Sequence, residues 1–482
     1  MMKAIDRRWF LAGSVGLGLG AVLVGRGEGQ TGQESLGGGF PKVSPERLEA
    51  EGIIARAREL EPQVIPVTEG VFAAIGFGLA NMAFLLTGKG MVVIDTLEGE
   101  GAASRALKAL PKELLRRPVE AVVYTHHHDD HILGTPALGL AEGMPVIAQS
   151  GFIGQLERQK QLGPAASARA AAMFGLVLPP SQKFPDISAY PFPTATTMNR
   201  DVGGGKPPIL PNRTFDETFE LELPGLELQL YHVPGETADM AIAYLPSKRL
   251  VHCADNFYPN FPNLYSIRGT PPRSPLEWAR AMDRILELSP AHLLPGHGVP
   301  ISGEETIREV LTDYRDAILF TNDEALKAVQ RMEPLESLIS RVRLPEKLAQ
   351  KAYLKEYYGY LPYCLRAAYA SYIGWFDGDP VNLSPLTKKE LGRELIELAG
   401  SSRAVLSQAR RALSQGRPQA ALELSRAILD NEPDNAGAAA LYEASLKALS
   451  LLSANPPTVN YLKSFAEAKG AIEGILNGIK AG

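Results

Sequence analysis

Apolar and polar residues alternate in short runs through the first two thirds of the chain and follow helical periods through the last third. After a glycine-rich stretch from Gly27 to Gly39, the spacing of apolar positions predicts a helix over Pro45–Leu60. Short β-type runs follow at Val64–Val67, Val71–Ile75, Met82–Thr87 and Met91–Asp95. A helix is expected from about Gly101 to Leu110, and another apolar run covers Ala121–Tyr124. Strand patterns return at Phe215–Leu223, Leu226–Val233, Met240–Tyr244 and Leu250–Cys253. Strands alternating with helices predict an α/β layered fold. Between the two blocks, Phe184 to Asn212 is rich in Pro, Gly and Thr, and a segment that long without periodicity is either functional, as a wall of a pocket, or a surface excursion. From about Gly303 only helical patterns remain. In Arg403–Gln415, Pro418–Asn431 and Asn435–Ser453, the residues Gly416, Ala420, Pro433, Asn435 and Ala438 sit at the turn and small-residue positions of a tetratricopeptide pair. One such unit reads first as a helical cap or subunit contact.

A length of 482 residues predicts two or three domains. With 45% hydrophobic and 21% charged residues, the chain is neither disordered nor fibrous. A net charge of -5 lacks the basic footprint of a nucleic-acid binder, so none is expected as a partner. Two cysteines, Cys253 and Cys364, provide neither a disulfide framework nor a thiolate cluster, so any metal must be held by His, Asp and Glu. Residues 1–30 stand apart from the fold. Arg7-Arg8-Trp9-Phe10-Leu11 precedes an apolar, glycine-rich run to Gly25, which resembles a twin-arginine export signal. The expectation is a periplasmic or extracellular protein. No small-x-small cleavage site stands out, which leaves an uncleaved N-terminal anchor open.

The densest chemistry is Thr125-His126-His127-His128-Asp129-Asp130-His131, directly after the apolar run that ends at Tyr124. On an extended strand end, residues two apart project the same way, so His126 and His128 can hold one ion. As the chain turns, Asp130 and His131 can reach a second. Four of the eight histidines fall within these six positions, far more than a solvated run would gather by chance. His126-x-His128-x-Asp130-His131 matches the metal motif of the metallo-β-lactamase fold. That resemblance implies an αββα sandwich and points to further ligands at later strand ends. These are His297 in Pro295-Gly296-His297-Gly298, and Asp255 after His252-Cys253-Ala254, placed where the fold supplies a carboxylate able to bridge two ions. In Pro234-Gly235-Glu236-Thr237, Glu236 takes the place of the usual His. His232, His252 and His292 are expected to pack or support.

Glu236, Asp255 nineteen residues later, and Asn263-Leu264-Tyr265-Ser266-Ile267-Arg268-Gly269 resemble the zinc-dependent alkyl sulfatases of this superfamily. So do Glu356-Tyr357-Tyr358-Gly359 and Tyr372-Ile373-Gly374-Trp375-Phe376-Asp377-Gly378-Asp379-Pro380, which match that family's dimerisation signature. The likeness runs from about residue 70 to 470. Departures are Asp255, where the family usually has Glu, the segment Glu236-Thr237-Ala238-Asp239 in place of Thr-Glu-Ala-Pro, and Arg273-Ser274 in place of an Arg-Asp pair. Well-known members also continue into a sterol-carrier-like domain.

The resemblance implies a dizinc hydrolase of sulfate esters, most of all alkyl sulfates, working through a metal-activated water; His and carboxylate ligands suit other divalent metals as well. The metal ligands would be His126, His128, Asp130, His131, Glu236, Asp255 and His297. Arg268 would hold the sulfate, because a guanidinium offers paired donors to a tetrahedral anion, with Asn263 and Arg169 as further candidates. With Glu236 ionised, three carboxylates face the +4 of two zinc ions, leaving +1 where a His would leave +2 and predicting a milder Lewis acid. The expected organisation is a signal segment over 1–30, an N-terminal extension with a helix over 31–62, the catalytic domain over 63–302, and an α-helical dimerisation region with a tetratricopeptide-like end over 303–482. The expected assembly is a homodimer. A second reading keeps the scaffold and changes the ester to a phosphoester, lactone or β-lactam. A third makes the helical half a protein-binding module beside a relic metal site.

Overall fold

The computed structural model describes residues 59–179, 208–453 and 455–477. The twin-arginine-like segment, the 31–62 extension up to residue 58, and most of the 184–212 segment lie outside the described residues. So do all but the last two residues of the helix expected over 45–60.

Two sheets form the centre. One takes β1 (Gln63–Thr68), β2 (Val71–Ile75), β3 (Met82–Leu86), β4 (Met91–Ile94), β5 (Val119–Val123), β6 (Val146–Gln149) and β7 (Arg213–Phe215) in that spatial order. The other takes β8 (Thr218–Leu223), β9 (Leu226–His232), β10 (Ala241–Leu245), β11 (Leu250–Ala254), β12 (His292–Pro295) and β13 (Ile301–Ser302), ordered β13-β12-β11-β10-β9-β8. Pairs β1–β2, β2–β3 and β3–β4 are antiparallel, whereas β4, β5, β6 and β7 run parallel. In the second sheet only β11 and β12 are parallel neighbours. Ile75, Leu85, Ile94 and Val123 from one sheet meet Leu228, Leu230, Ala243 and Leu250 from the other in a continuous apolar layer. Each sheet buries its other face under helices, which gives the four-layer αββα sandwich.

The helices α1 (Glu100–Lys108), α2 (Asp129–Ile132) and α3 (Phe152–Met173) belong to the first sheet, and α3 is broken at Gly163, whose φ is 53°. Ala102, Ala103 and Ala106 of α1 pack on Met82, Phe84 and Val93. On the outer face of the second sheet lies α4 (Pro275–Glu287), capped by Ser274, whose side chain accepts the Glu277 N–H. Its Trp278, Met282 and Ile285 are fully buried, and the Trp278 indole N–H donates to the Asn256 carbonyl at 2.8 Å. After Ser302 the described chain is helical. It runs through α5 (Glu304–Gln330), α6 (Leu335–Arg341), α7 (Glu346–Ala349), α8 (Leu361–Ile373), α9 (Lys388–Ala399), α10 (Ser402–Ser414), α11 (Pro418–Asn431), α12 (Ala436–Leu452), α13 (Pro456–Glu467) and α14 (Lys469–Asn477).

Phe215–Leu223, expected as one strand, is two. Asp216 and Glu217 break it, so β7 completes the first sheet and β8 opens the second. A run of alternating residues cannot reveal a change of sheet, because both pieces keep the same period.

The helical half shares a core with the sandwich. Ile307, Leu311, Tyr314 and Ile318 of α5 and Cys364 and Leu365 of α8 join Val251, Cys253 and Phe261 in one apolar cluster. Asn455 ties the seam: its amide donates to the Glu356 and Tyr358 carbonyls at 2.9 and 3.2 Å, and its side-chain oxygen caps α13. Glu356 accepts the Leu361 N–H at 2.7 Å, starting α8, and burial pushes its carboxyl up to about 7. A carboxyl raised in the folded state adds stability that is complete below the ordinary value of 4.5 and is lost as pH climbs through 7. Glu356→Gln keeps the acceptor and removes the ionisation. We expect the wild type to lose about 2 kcal/mol relative to this variant between pH 5 and 8, measured by urea unfolding. A pH-independent difference would contradict the assignment.

Candidate metal centre

Parallel strands deliver their carboxyl ends to one side of a sheet, and the sandwich places one such pair in each sheet facing a common cleft. From the first sheet, β4 ends at Asp95 and β5 runs on through Tyr124 and Thr125 into the histidine run. From the second, β11 ends before Asp255, β12 ends before His297, and the β9–β10 turn carries Glu236. Backbone strain collects here: Asp95 and Ala254 hold positive φ of 56° and 53°, a region costly for side chains other than Asn, Asp and Gly. Two glycines are required by close approach. A Cβ on Gly296 would collide with Asp255 Oδ1, and one on Gly235 with Asn256 Oδ1.

The expected ligands fall into two groups: His126, His128, Glu236 and Asp255, then Asp130, His131 and His297. Within each, the donor atoms lie within 4.8 Å of one another. The His126 and His128 ring nitrogens face each other at 2.9 Å. Asp255 Oδ2 links the groups, 3.1 Å from His297 Nε2, 3.5 Å from His131 Nε2 and 3.7 Å from His126 Nε2. His131 Nε2 and Asp255 Oδ1 are buried and have no hydrogen-bond partner among the described residues. Buried imidazole and carboxylate atoms left without donors or acceptors, converging on one place, are a donor set that two divalent cations satisfy.

The protonation pattern divides the rings into two kinds. Burial, then the charges of neighbouring histidines, holds His126 and His128 well below the ordinary histidine range, leaving neutral rings with lone pairs. For His131 burial acts downward, but Asp255, Asp95 and Asp130 outweigh it and hold the ring well above that range. His297 rises to about 9 in the same way, with Asp255 overcoming burial. Asp255 in turn is held well below the carboxylate range, its burial outweighed by His297 and His131. Glu236 is pushed up to about 7 by burial in spite of Arg273.

A supporting shell, absent from the sequence reading, fixes these rings. Asp95 Oδ2 takes His131 Nδ1–H at 2.7 Å and the Thr125 hydroxyl at 2.8 Å, so His131 presents Nε2 inward. His297 Nδ1 meets the Leu79 carbonyl at 2.8 Å, and His127 Nδ1 meets Asp239 at 2.8 Å. Asn81 donates to the Pro295 and Gly298 carbonyls at 2.9 and 2.7 Å, holding the loop that carries His297. Arg273 forms a buried ion pair with Glu236. Asp95 could have been suspected as a carboxylate closing an apolar strand. Arg273 stood out only as the first residue of an altered Arg-Asp pair, with nothing to point to Glu236 as its partner.

Of the remaining expected residues, Arg268 is half-buried, near enough for its charge to bear on His128, Asp129, Glu236 and Tyr358. Asn263 is buried, with its side-chain N–H2 unpartnered among the described residues, and lines a cleft with Met173, Ser266, Tyr358, Tyr363 and Pro457. Arg169 is exposed and donates twice, at 3.1 and 2.8 Å, to the carbonyl of Ile267, the residue before Arg268. His252 is fully buried, and burial lowers it to about 4. His232 and His292 bond to the Ala238 carbonyl and the Ser302 hydroxyl.

Residues 75–297 match the family model of the metallo-beta-lactamase superfamily, and residues 335–470 that of alkyl sulfatase dimerisation. The chain is 33% identical over 395 residues to a linear primary-alkylsulfatase from Pseudomonas sp., spanning 80% of this chain and 73% of that one. It is 32% identical over 394 residues to an (R)-specific secondary-alkylsulfatase from Pseudomonas sp., spanning 79% of this chain and 58% of the relative. The solved structure of the stereoselective inverting sec-alkylsulfatase Pisa1 from Pseudomonas sp. superposes with a TM-score of 0.78 at 26% identity, covering 91% of this chain and 73% of that one.

Asp95→Asn should leave the fold intact and weaken binding of a divalent cation by about 10- to 100-fold, read as metal per chain after dialysis against a graded chelator. Unchanged metal content would refute the role given to Asp95.

Proposed function

The chain belongs to the alkyl sulfatase family of the metallo-beta-lactamase superfamily, and from that premise we propose that it hydrolyses alkyl sulfate esters at a centre of two zinc ions. The observation that carries this reading is the gathering of six candidate ligands around a seventh, Asp255, with a half-buried arginine, Arg268, beside them. The cations would be held by His126, His128, Glu236 and Asp255 on one side and by Asp130, His131 and His297 on the other, with Asp255 between the groups. When bound, they supply a Lewis acid and a water ionised near neutral pH.

The protein's own residues do the rest. Arg268 pairs with the anionic sulfate group, and the Asn263 amide donates a further hydrogen bond. Arg169, through its two bonds to the Ile267 carbonyl, fixes the turn that aims Arg268.

The chain pairs as a homodimer. Trp375, Val381, Leu383 and Leu398 are 77%, 73%, 56% and 88% exposed, all inside the segment that matches the dimerisation family. Large apolar side chains left this exposed support a partner that covers them. The Arg7-Arg8 segment supports export of the folded, metal-loaded chain. The 63–302 region is the catalytic domain, and 303–482 the dimerisation region.

Purified protein with two zinc ions should release inorganic sulfate from dodecyl sulfate, and His128→Ala should abolish the release. Cleavage of a phosphodiester with no sulfate release would move the assignment to another ester. Val381→Glu combined with Leu398→Glu should convert the dimer to monomer in sedimentation velocity, while a species of unchanged size would place the interface elsewhere.

A further inference from the structure

Among the described residues, the ion pair of Arg273 with Glu236 is the one between a Lys or Arg and a carboxylate that is buried on both sides, with side chains 2% and 3% exposed. The next most buried pair, Lys351 with Asp313, leaves 24% and 5%. Arg273 Nη1 donates to Glu236 Oε1 and, at 2.5 Å, to the Asn263 carbonyl. Its Nε and Nη2 are buried without hydrogen-bond partners among the described residues. Taking a guanidinium out of water to satisfy only one of its three nitrogens is unfavourable unless a charge nearby has to be balanced.

The charge in question is that of Glu236. A histidine at this position, the usual residue of the superfamily, would be a neutral ligand. Glu236 adds one negative charge to those of Asp130 and Asp255, and Arg273 adds one positive charge directly against it. We propose that Arg273 is a positioning residue that cancels the charge Glu236 brings, so that the Glu236–Arg273 unit acts on the centre as a neutral ligand, as an imidazole would. Arg273 donates to Glu236 Oε1, so Oε2 is the oxygen it would leave for a cation. The milder Lewis acid expected from counting ligands alone is thereby corrected: with Arg273 included, the formal balance returns to that of the histidine version. The contact with the Asn263 carbonyl couples this unit to the segment that ends in Arg268.

This inference rests on the two-cation reading of the centre, so the wild type is the first arm of the test. Zinc affinity is measured by competition with a chromophoric chelator, with folding followed by circular dichroism. Two zinc ions per wild-type chain are expected; fewer would count against the centre itself rather than against Arg273. Arg273→Met removes the charge at similar length and should tighten zinc binding by about tenfold or more, because the cation meets an unbalanced carboxylate. A merely structural arginine gives the opposite sign. Arg273→Lys should stay near wild type. Glu236→His alone should weaken binding by a comparable factor, and Glu236→His with Arg273→Met should return it to within about threefold of wild type. Should Arg273→Met fail to fold, the comparison of the double variant with Glu236→His decides. Tighter binding in the double supports charge cancellation. Equal or weaker binding in the double, or weaker binding in a folded Arg273→Met, overturns it.

Discussion

One carboxylate oxygen, Asp255 Oδ2, stands within 3.7 Å of imidazole nitrogens from three histidines, and the architecture around it exists to make that crowding possible. His126 and His131 arrive from the first sheet, while Asp255 and His297 arrive from the second. The separation of the two groups is therefore set by how the sheets pack, through Ile94 and Val123 against Leu250 and Leu294, rather than by any local turn. A shift in that apolar layer would move the ligands apart. Aspartate is one methylene shorter than the glutamate usual in the family, so the backbone itself must come closer. The left-handed Ala254 and the absence of a Cβ on Gly296 allow this approach.

The helical half contributes to the centre as well as to assembly. The segment from Phe261 to Gly269 has no regular structure of its own, and it is held by what packs on it. Phe261 N–H donates to the Lys355 carbonyl at 2.9 Å, and Gly359 lies so close to the Phe261 carbonyl that a side chain there would collide. The Cys364 thiol donates to the Pro262 carbonyl at 3.4 Å, and Asn263 N–H to the Tyr258 hydroxyl at 2.9 Å. From the other side, Arg169 and Met173 of α3 take the Ile267 carbonyl and the Ser266 hydroxyl. Arg268 thus sits on a loop clamped between two halves of the chain. On the role proposed for Arg268 the dimerisation region is part of the anion site, and the two halves share one apolar core.

What could be read from sequence divides by the distance between partners. The motif from His126 to His131 was legible because strand and turn geometry place its side chains locally. Asp255, Glu236 and His297 were legible only through the family pattern, since nothing in their own neighbourhoods distinguishes them from a capping residue or a packed histidine. The second layer was not legible. Asp95 reaches His131 across 36 positions, Asp239 reaches His127 across 112, and Asn81 reaches the Pro295 carbonyl across 214. Each of these contacts is made by the fold and leaves no periodicity. The strands were found as short apolar runs between turn residues, whether buried on both faces, as β4 and β11 are, or half exposed, as β8 is. The Phe215–Leu223 run was misjudged because a two-residue break at Asp216 and Glu217 changes sheets without changing period. The long α3 was missed as well, since its alanine-rich sequence with Gly163 and Pro164 in the middle lacks a clean apolar stripe.

The two arginines beside the centre divide one electrostatic task. A hydrolase for anionic esters needs net positive charge where the substrate binds, yet its metals are held by carboxylates that remove it. Arg273 is buried against Glu236 and faces no substrate; its charge is consumed within the protein. Arg268 is half-buried, and its influence on His128 and Tyr358 places its charge at the edge of the same cluster, where an anion arriving from solvent would meet it. Were Arg273 absent, Arg268 would have to balance Glu236 and the ester together, and an arginine drawn toward a buried carboxylate is no longer available to an anion. On the proposed reading, the inner pair leaves the outer arginine free for substrate. A ligand that is negative in formal charge can then occupy a position usually held by a neutral one without closing the site to anions.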